Sequence, residues 1–100
     1  MDVKVQSVHF KADQKLIYFC EKRINKLELF FEGIIGSEVI LKLEKDEDQE
    51  NKVAEIKLSV PANEYLFAKK QAKSFEEAVD LAVDALRKQL DKYKMKVKSK

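Results

Sequence analysis

The stretch SFEEAVDLAVDALRKQLDKYKMK, residues 74–96, constrains the chain more than any other. Ala78, Ala82, Leu86, Leu90 and Tyr93 recur at spacings of four, four, four and three, which draws one apolar stripe along a helix. Ser74 and Glu77 have the spacing of a capping box, in which each side chain can satisfy a backbone N–H that the start of a helix leaves open. No Gly or Pro interrupts the run. A single-striped helix of this length needs an apolar surface to cover, and the rest of the chain must supply it.

Charge is graded along the same stretch. Glu76, Glu77, Asp80 and Asp84 come early, and Arg87, Lys88, Lys92, Lys94 and Lys96 come late, an order that suits the helix dipole. From Arg87 to Lys100 there are seven Lys/Arg and one acid, Asp91, a net of +6. The whole chain carries +2, so residues 1–86 carry −4. The positive charge is localised, and that asymmetry, more than the net value, points to a polyanionic partner.

The surface for this helix is legible upstream. Residues 3–8 alternate apolar and polar as a half-buried strand, with Val3 and Val5 inward. Asp13 is a candidate N-cap for a helix from Gln14 to about Phe31, in which Leu16, Cys20, Ile24 or Leu27, and Phe31 share a face. Gly33 and Gly36 end it, the first as a left-handed cap. Residues 38–44 form a second strand with Val39, Leu41 and Leu43 on one face, and residues 53–60 a third with Ala54, Ile56, Leu58 and Val60 inward. Between them KDEDQENK is a polar turn. Pro61-Ala62-Asn63 is a turn, because Pro presets one dihedral and Asn tolerates the unusual one. A fourth strand runs from Glu64 to about Lys70, with Tyr65 and Phe67 expected inward.

The order is β-α-β-β-β-α. Short turns make strands two to four an antiparallel meander, and the first helix is a crossover that lets strands one and two pair in parallel with a right-handed connection. The expected fold is α+β, a two-layer sandwich with two helices on one face of a four-stranded sheet. One hundred residues form a single domain, 1–100, with 94–100 as a basic tail, either an ordered helical turn or a frayed arm that orders on its partner. One Cys excludes an internal disulfide framework and fits a reducing cytosol. The N-terminus lacks the layout of a signal peptide, and no run approaches the ~18 apolar residues of a membrane span, so a cytoplasmic protein is expected.

FCEKRINKLELFF, residues 19–31, carries Lys26-Leu27-Glu28 followed by an aromatic. AVDLAVDALRKQLDKYKMK, residues 78–96, carries Ala78-Val79-Asp80, Leu86, Lys88-Gln89-Leu90, Lys92 and Lys94. These two segments resemble the family of ribosome hibernation-promoting factors, which includes the ribosome-associated inhibitor A proteins. The element order also matches, and the length is that of the short form, without a C-terminal dimerisation domain. The resemblance implies a fold like the double-stranded RNA-binding domain with an added strand. It implies binding to the small ribosomal subunit and its ribosomal RNA, in the channel of messenger and transfer RNAs, silencing idle ribosomes in stationary phase or starvation. The family often has an aromatic where this chain has Glu76, so a contact made there by relatives is missing or moved to Phe75. The acidic turn Asp46–Glu50 is a second departure and should lie away from RNA.

The residues that would carry RNA binding are Lys22, Arg23 and Lys26 on the first helix and Arg87, Lys88 and Lys92 on the last, with Lys94 and Lys96 next. Lys88, Lys92 and Lys96 form one row and Lys22 and Lys26 another; helices side by side would let the rows flank a groove. Cations at helical spacing suit phosphates and shape rather than base reading. The alternative is a solvated helix end that only complements the dipole. Lys69, Lys70 and Lys73 make a smaller cluster, either auxiliary to RNA or a plain strand edge.

Catalytic and metal chemistry find no support in the residues. Cys20 lies on an apolar stripe without a His or Asn constellation, and a core thiol is the reading it supports. His9 is the only His and cannot build a zinc site with one Cys. The acidic run lacks the central Gly of a calcium loop. No enzyme, cofactor, metal or small-molecule substrate is expected, and the free protein is expected to be a monomer. The rival readings are a generic binder of structured RNA, a small enzyme on a ferredoxin-like sandwich, and a basic helix at an anionic membrane. The last is weak, because the sheet needs the helix's apolar stripe.

Overall fold

Both helices begin at their caps. In the computed structural model, which describes residues 1–45 and 49–98, the Asp13 carboxylate accepts from the Leu16 N–H at 2.9 Å and opens α1, Gln14–Asn25. The Ser74 hydroxyl accepts from the Glu77 N–H at 3.1 Å and opens α2, Phe75–Lys98. The strands are β1 (Asp2–Val8), β2 (Gly36–Leu43), β3 (Lys52–Val60) and β4 (Glu64–Ala72). They lie in the order β1-β2-β3-β4, the first pair parallel and the other two antiparallel. The α+β sandwich is therefore the one expected, with both helices on one sheet face. The tip of the acidic turn, residues 46–48, and the last two residues of the basic tail lie outside the described residues.

The core fills the space between the layers. Val39 and Leu41 of β2, Ala54, Ile56 and Leu58 of β3, and Ala68 and Ala72 of β4 meet Cys20 and Ile24 of α1 and Ala78, Ala82, Leu86 and Leu90 of α2. All are buried, and Val3, Val5 and Leu16 pack half-buried against them. Contacts between the helices advance together along both: Phe10, ahead of α1, stacks on Phe75 at 4.4 Å, Arg23 pairs with Asp80, Arg87 lies over Phe30, and Phe31 meets Tyr93 edge-on at 5.3 Å. The two helices therefore run parallel, with the last turn of α1 beside the second turn of α2.

Three expectations are corrected. The first helix does not continue to Phe31. It tightens into a 3₁₀ turn at Lys26–Leu29, and the Leu27 carbonyl accepts from both Phe30 and Phe31 N–H. The tighter winding keeps both Ile24 and Leu27 buried while turning Leu29 out, 83% exposed. Gly33 is not a left-handed cap, since neither glycine has a positive φ. Its role is steric: a Cβ there would come within 2.6 Å of the Phe31 ring. Among the described residues the left-handed ones are instead His9, Ala62 and Asn63, the last two in the turn between β3 and β4.

The third correction concerns β4, whose side chains have the opposite phase. Leu66, Ala68 and Ala72 face the helices, while Tyr65 and Phe67 stand on the open face of the sheet, 59% and 50% exposed. Register and helix packing decide this. Ala68 pairs with Ile56 and Leu66 with Leu58, both inward on β3. Ala68 and Ala72 share the core with Ala78 and Ala82 of α2, and small residues on both sides let helix and strand approach closely. Rings at 66 and 68 would hold α2 off the sheet.

Candidate nucleic-acid interface

Parallel packing brings α1 and α2 together along a groove of about 350 Å³. Arg23, Lys26, Leu27 and Phe30 line one wall, and Asp80, Val83, Asp84 and Arg87 the other. On α2 these four positions are spaced i, i+3, i+4 and i+7, which is one helical face. The structure thus brings together Arg23, Lys26 and Arg87 of the eight expected residues. It also places two carboxylates among them, which reading by charge run did not anticipate. The signal was the i, i+4 spacing of Asp80, Asp84 and Lys88.

Those carboxylates engage most of the nearby cations. Arg23 Nε lies 3.3 Å from Asp80 Oδ1, Arg87 Nη2 3.9 Å from Asp84 Oδ1, and Lys88 Nζ 3.5 Å from Asp84 Oδ2. Every partner is between 43% and 70% exposed. Such solvated pairs are worth about 0.2–1 kcal/mol each, so a phosphate can displace them at small cost. Aromatic rings orient the two guanidinium groups: Arg23 lies 5.0 Å from the Phe19 centroid and Arg87 5.6 Å from that of Phe30.

The remaining residues lie on other surfaces. Lys22 is 5.4 Å from the Tyr18 centroid, and with Glu21, Asn25, Lys26 and Leu29 these two line a shallow depression on the outer side of α1. Lys92 and Lys96 lie on the opposite flank of α2, where with Gln89 and Tyr93 they face Glu64, Tyr65 and Leu66 of β4 across a groove of about 450 Å³. Lys88 stands between the flanks, and Lys94 is half-buried. The two lysine rows therefore do not flank one groove; the α2 row winds from the inter-helix side toward β4. Lys69, Lys70 and Lys73 are exposed near the other end of α2. Tyr65, expected in the core, is the residue near the basic end that sequence phase misplaced. Phe75, offered as a substitute for the missing aromatic, is stacked on Phe10.

Reactive groups elsewhere are confined. Cys20 is fully buried, and burial, with smaller contributions from the Glu76 and Glu21 carboxylates, pushes its thiol up to about 12, so it holds no thiolate at neutral pH. His9 is exposed, with its Nδ1 3.4 Å from the Leu43 carbonyl oxygen. Among the described residues no cluster of three or more His, Cys, Asp and Glu could hold a metal ion. Among them, too, no helix is long and apolar enough to cross a membrane.

A family profile described as "Sigma 54 modulation protein / S30EA ribosomal protein" matches residues 3–98. The chain belongs to this family. The match confirms the resemblance to the hibernation-promoting factors. Solved structures show the same fold at low identity. The ribosomal subunit interface protein from Coxiella burnetii aligns at a TM-score of 0.84 and 20% identity, over 95% of this chain and 99% of that one. The Protein Y N-terminal domain of Thermus thermophilus aligns at 0.79 and 20% identity, over 93% and 99%. No curated protein matches the chain in sequence.

Proposed function

We propose that the protein is a non-enzymatic hibernation factor that binds the small ribosomal subunit with its basic end and blocks the messenger and transfer RNA channel. The observation that carries this reading is the parallel packing of the helices. It sets Arg23 and Lys26 across one groove from Arg87, so cations from two elements can meet one RNA surface. Membership of a ribosome-associated family supports the ribosome as partner. The Coxiella relative is itself a subunit interface protein. Action is by steric occlusion and phosphate neutralisation, with no bond made or broken. Cations set on helices fix position and register on the phosphate backbone.

The test is sedimentation of lysates from growing and starved cells on sucrose gradients. The protein should travel with small subunits and whole ribosomes, and Lys88→Glu combined with Lys92→Glu should return it to the top of the gradient. Circular dichroism serves as the folding control. Wild-type protein that stays at the top while binding structured RNA in isolation would make it a general RNA binder instead.

A further inference from the structure

The rings of Tyr65 and Phe67 are not used by the helix surface described above. They sit two residues apart on one face of a strand, so their side chains emerge about 6.5 Å from one another. That is close to the separation of successive bases in an extended single strand. Both rings are at least half exposed, and neither fills the core. Isolated exposed apolar residues are common and mean little. Here two stand in succession, and cations flank the first from two elements. Lys57 of β3 holds its ammonium over the Tyr65 ring, 4.1 Å from the centroid, so a base stacking on that face displaces it toward the adjoining phosphate. On the helix side Tyr65 shares its groove with Lys92 and Lys96. Glu64 is the one acid lining that groove, against two lysines. The strand is also held firmly in place, because Gln89 Nε2 donates to the Phe67 carbonyl at 2.8 Å and ties β4 to α2.

We propose that Tyr65 and Phe67 form a stacking platform for two successive unpaired nucleotides of RNA, whose phosphates are neutralised by Lys57 and Lys92. The proposal rests on the RNA-binding reading and adds to it a second surface with a different ligand chemistry: unpaired bases on the β4 edge, phosphates of structured RNA on the helices. Every base has a π-face, so the platform is tolerant of sequence and selects for strands that are not paired. Two rings are too small an area for a stable protein interface, which takes roughly 800 Å² from each partner. Flanking lysines favour a phosphate-bearing ligand.

The experiment uses the full chain with a fluorescently labelled eight-nucleotide oligoadenylate and an abasic oligomer of equal length, at low salt. Anisotropy should show Tyr65→Leu and Phe67→Leu each weakening oligoadenylate binding about tenfold, the usual scale for one stacked base. Tyr65→Phe should bind as wild type, and the abasic oligomer should not distinguish any of the four proteins. All three substitutions are exposed, and circular dichroism verifies the fold. Equal affinity of wild type and both Leu variants for oligoadenylate overturns the platform. So does wild-type protein that sediments with ribosomes and ignores the oligomer, an outcome that leaves the proposed function standing. Failure to bind either overturns both. A concentration-dependent dimer dissolved by Tyr65→Leu would assign the rings to contact between copies, and overturns the platform as well.

Discussion

Asp80 and Asp84 are the residues whose meaning changes most between sequence and structure. In the sequence they are the acidic start of a dipole-matched helix. In the structure they occupy the places beside Arg23, Arg87 and Lys88 that a phosphate would take. Replacing both with Asn should therefore free three cations and tighten RNA binding about two- to fivefold at low salt, the worth of exposed ion pairs. A filter-binding titration of each variant checks this, and unchanged affinity would mean these cations do not meet RNA. Cys20 gives a second expectation. Its folded-state pKa is raised from 9.0 to about 12, so above pH 9 the unfolded chain loses the thiol proton while the folded chain keeps it. That thiol costs no stability below pH 9 and lowers it progressively as pH rises toward 12. At pH 8 the thiol should react with a disulfide reagent only as fast as the protein opens, and denaturant should release a full equivalent at once. Cys20→Ser should leave RNA binding nearly unchanged in folded protein. These facts about single residues follow from what surrounds them, which is why composition and spacing could place Cys20 on a buried stripe yet not pair Asp80 with Arg23.

Among elements, α2 was the most legible. Its cap, its stripe and its charge gradient agree, and Leu86 and Leu90 are fully buried where the four-residue spacing put them. Leu86→Ala should cost about 2–5 kcal/mol, measured by urea denaturation, because the surrounding layers cannot close on the cavity. A loss below about 0.5 kcal/mol would contradict that packing. β2 and β3 were legible for the same reason: one phase of each alternation is plainly more apolar. β4 was not. Tyr65-Leu66-Phe67-Ala68 is apolar at every position, so local pattern leaves the phase open and ring size suggests the wrong choice. The deciding information is non-local, in the pairing with β3 and the closeness of α2. The end of α1 failed similarly, since a 3₁₀ turn and an α-helical turn present nearly the same apolar residues over four positions. Of the candidate site, the residue types were legible, but their division between two grooves was not, because it depends on how far around α2 the neighbouring helix and strand reach.

At the scale of the molecule, which measures 48 × 25 × 20 Å, charge is graded along α2. Glu76 and Glu77 lie at the start of α2, and the turn between β2 and β3, with Glu44 and Glu50, lies at that same end of the sheet as Ala72. Lys92 and Lys96 lie at the other, beside Glu64 and Tyr65. Salt should expose this separation. Each phosphate contact contributes a slope of about −0.7 for single strands in a plot of log affinity against log salt. Lys88→Glu with Lys92→Glu should remove about two contacts' worth of slope. Lys45→Glu with Lys52→Glu, at the acidic end, should remove almost none. Co-sedimentation with ribosomes at two salt concentrations checks both, and an unchanged slope in the first variant would remove the end of α2 from the interface. The charge gradient of α2 has one more consequence, and it is kinetic. With the negative end of the α2 dipole outweighed by a larger positive side-chain charge, the molecule behaves in an external field like a weighted needle. Drawn toward a polyanion, it turns before it touches and arrives with one end leading. Fewer of its encounters are then wasted on wrong orientations, and raising ionic strength slows arrival far more than it hastens departure.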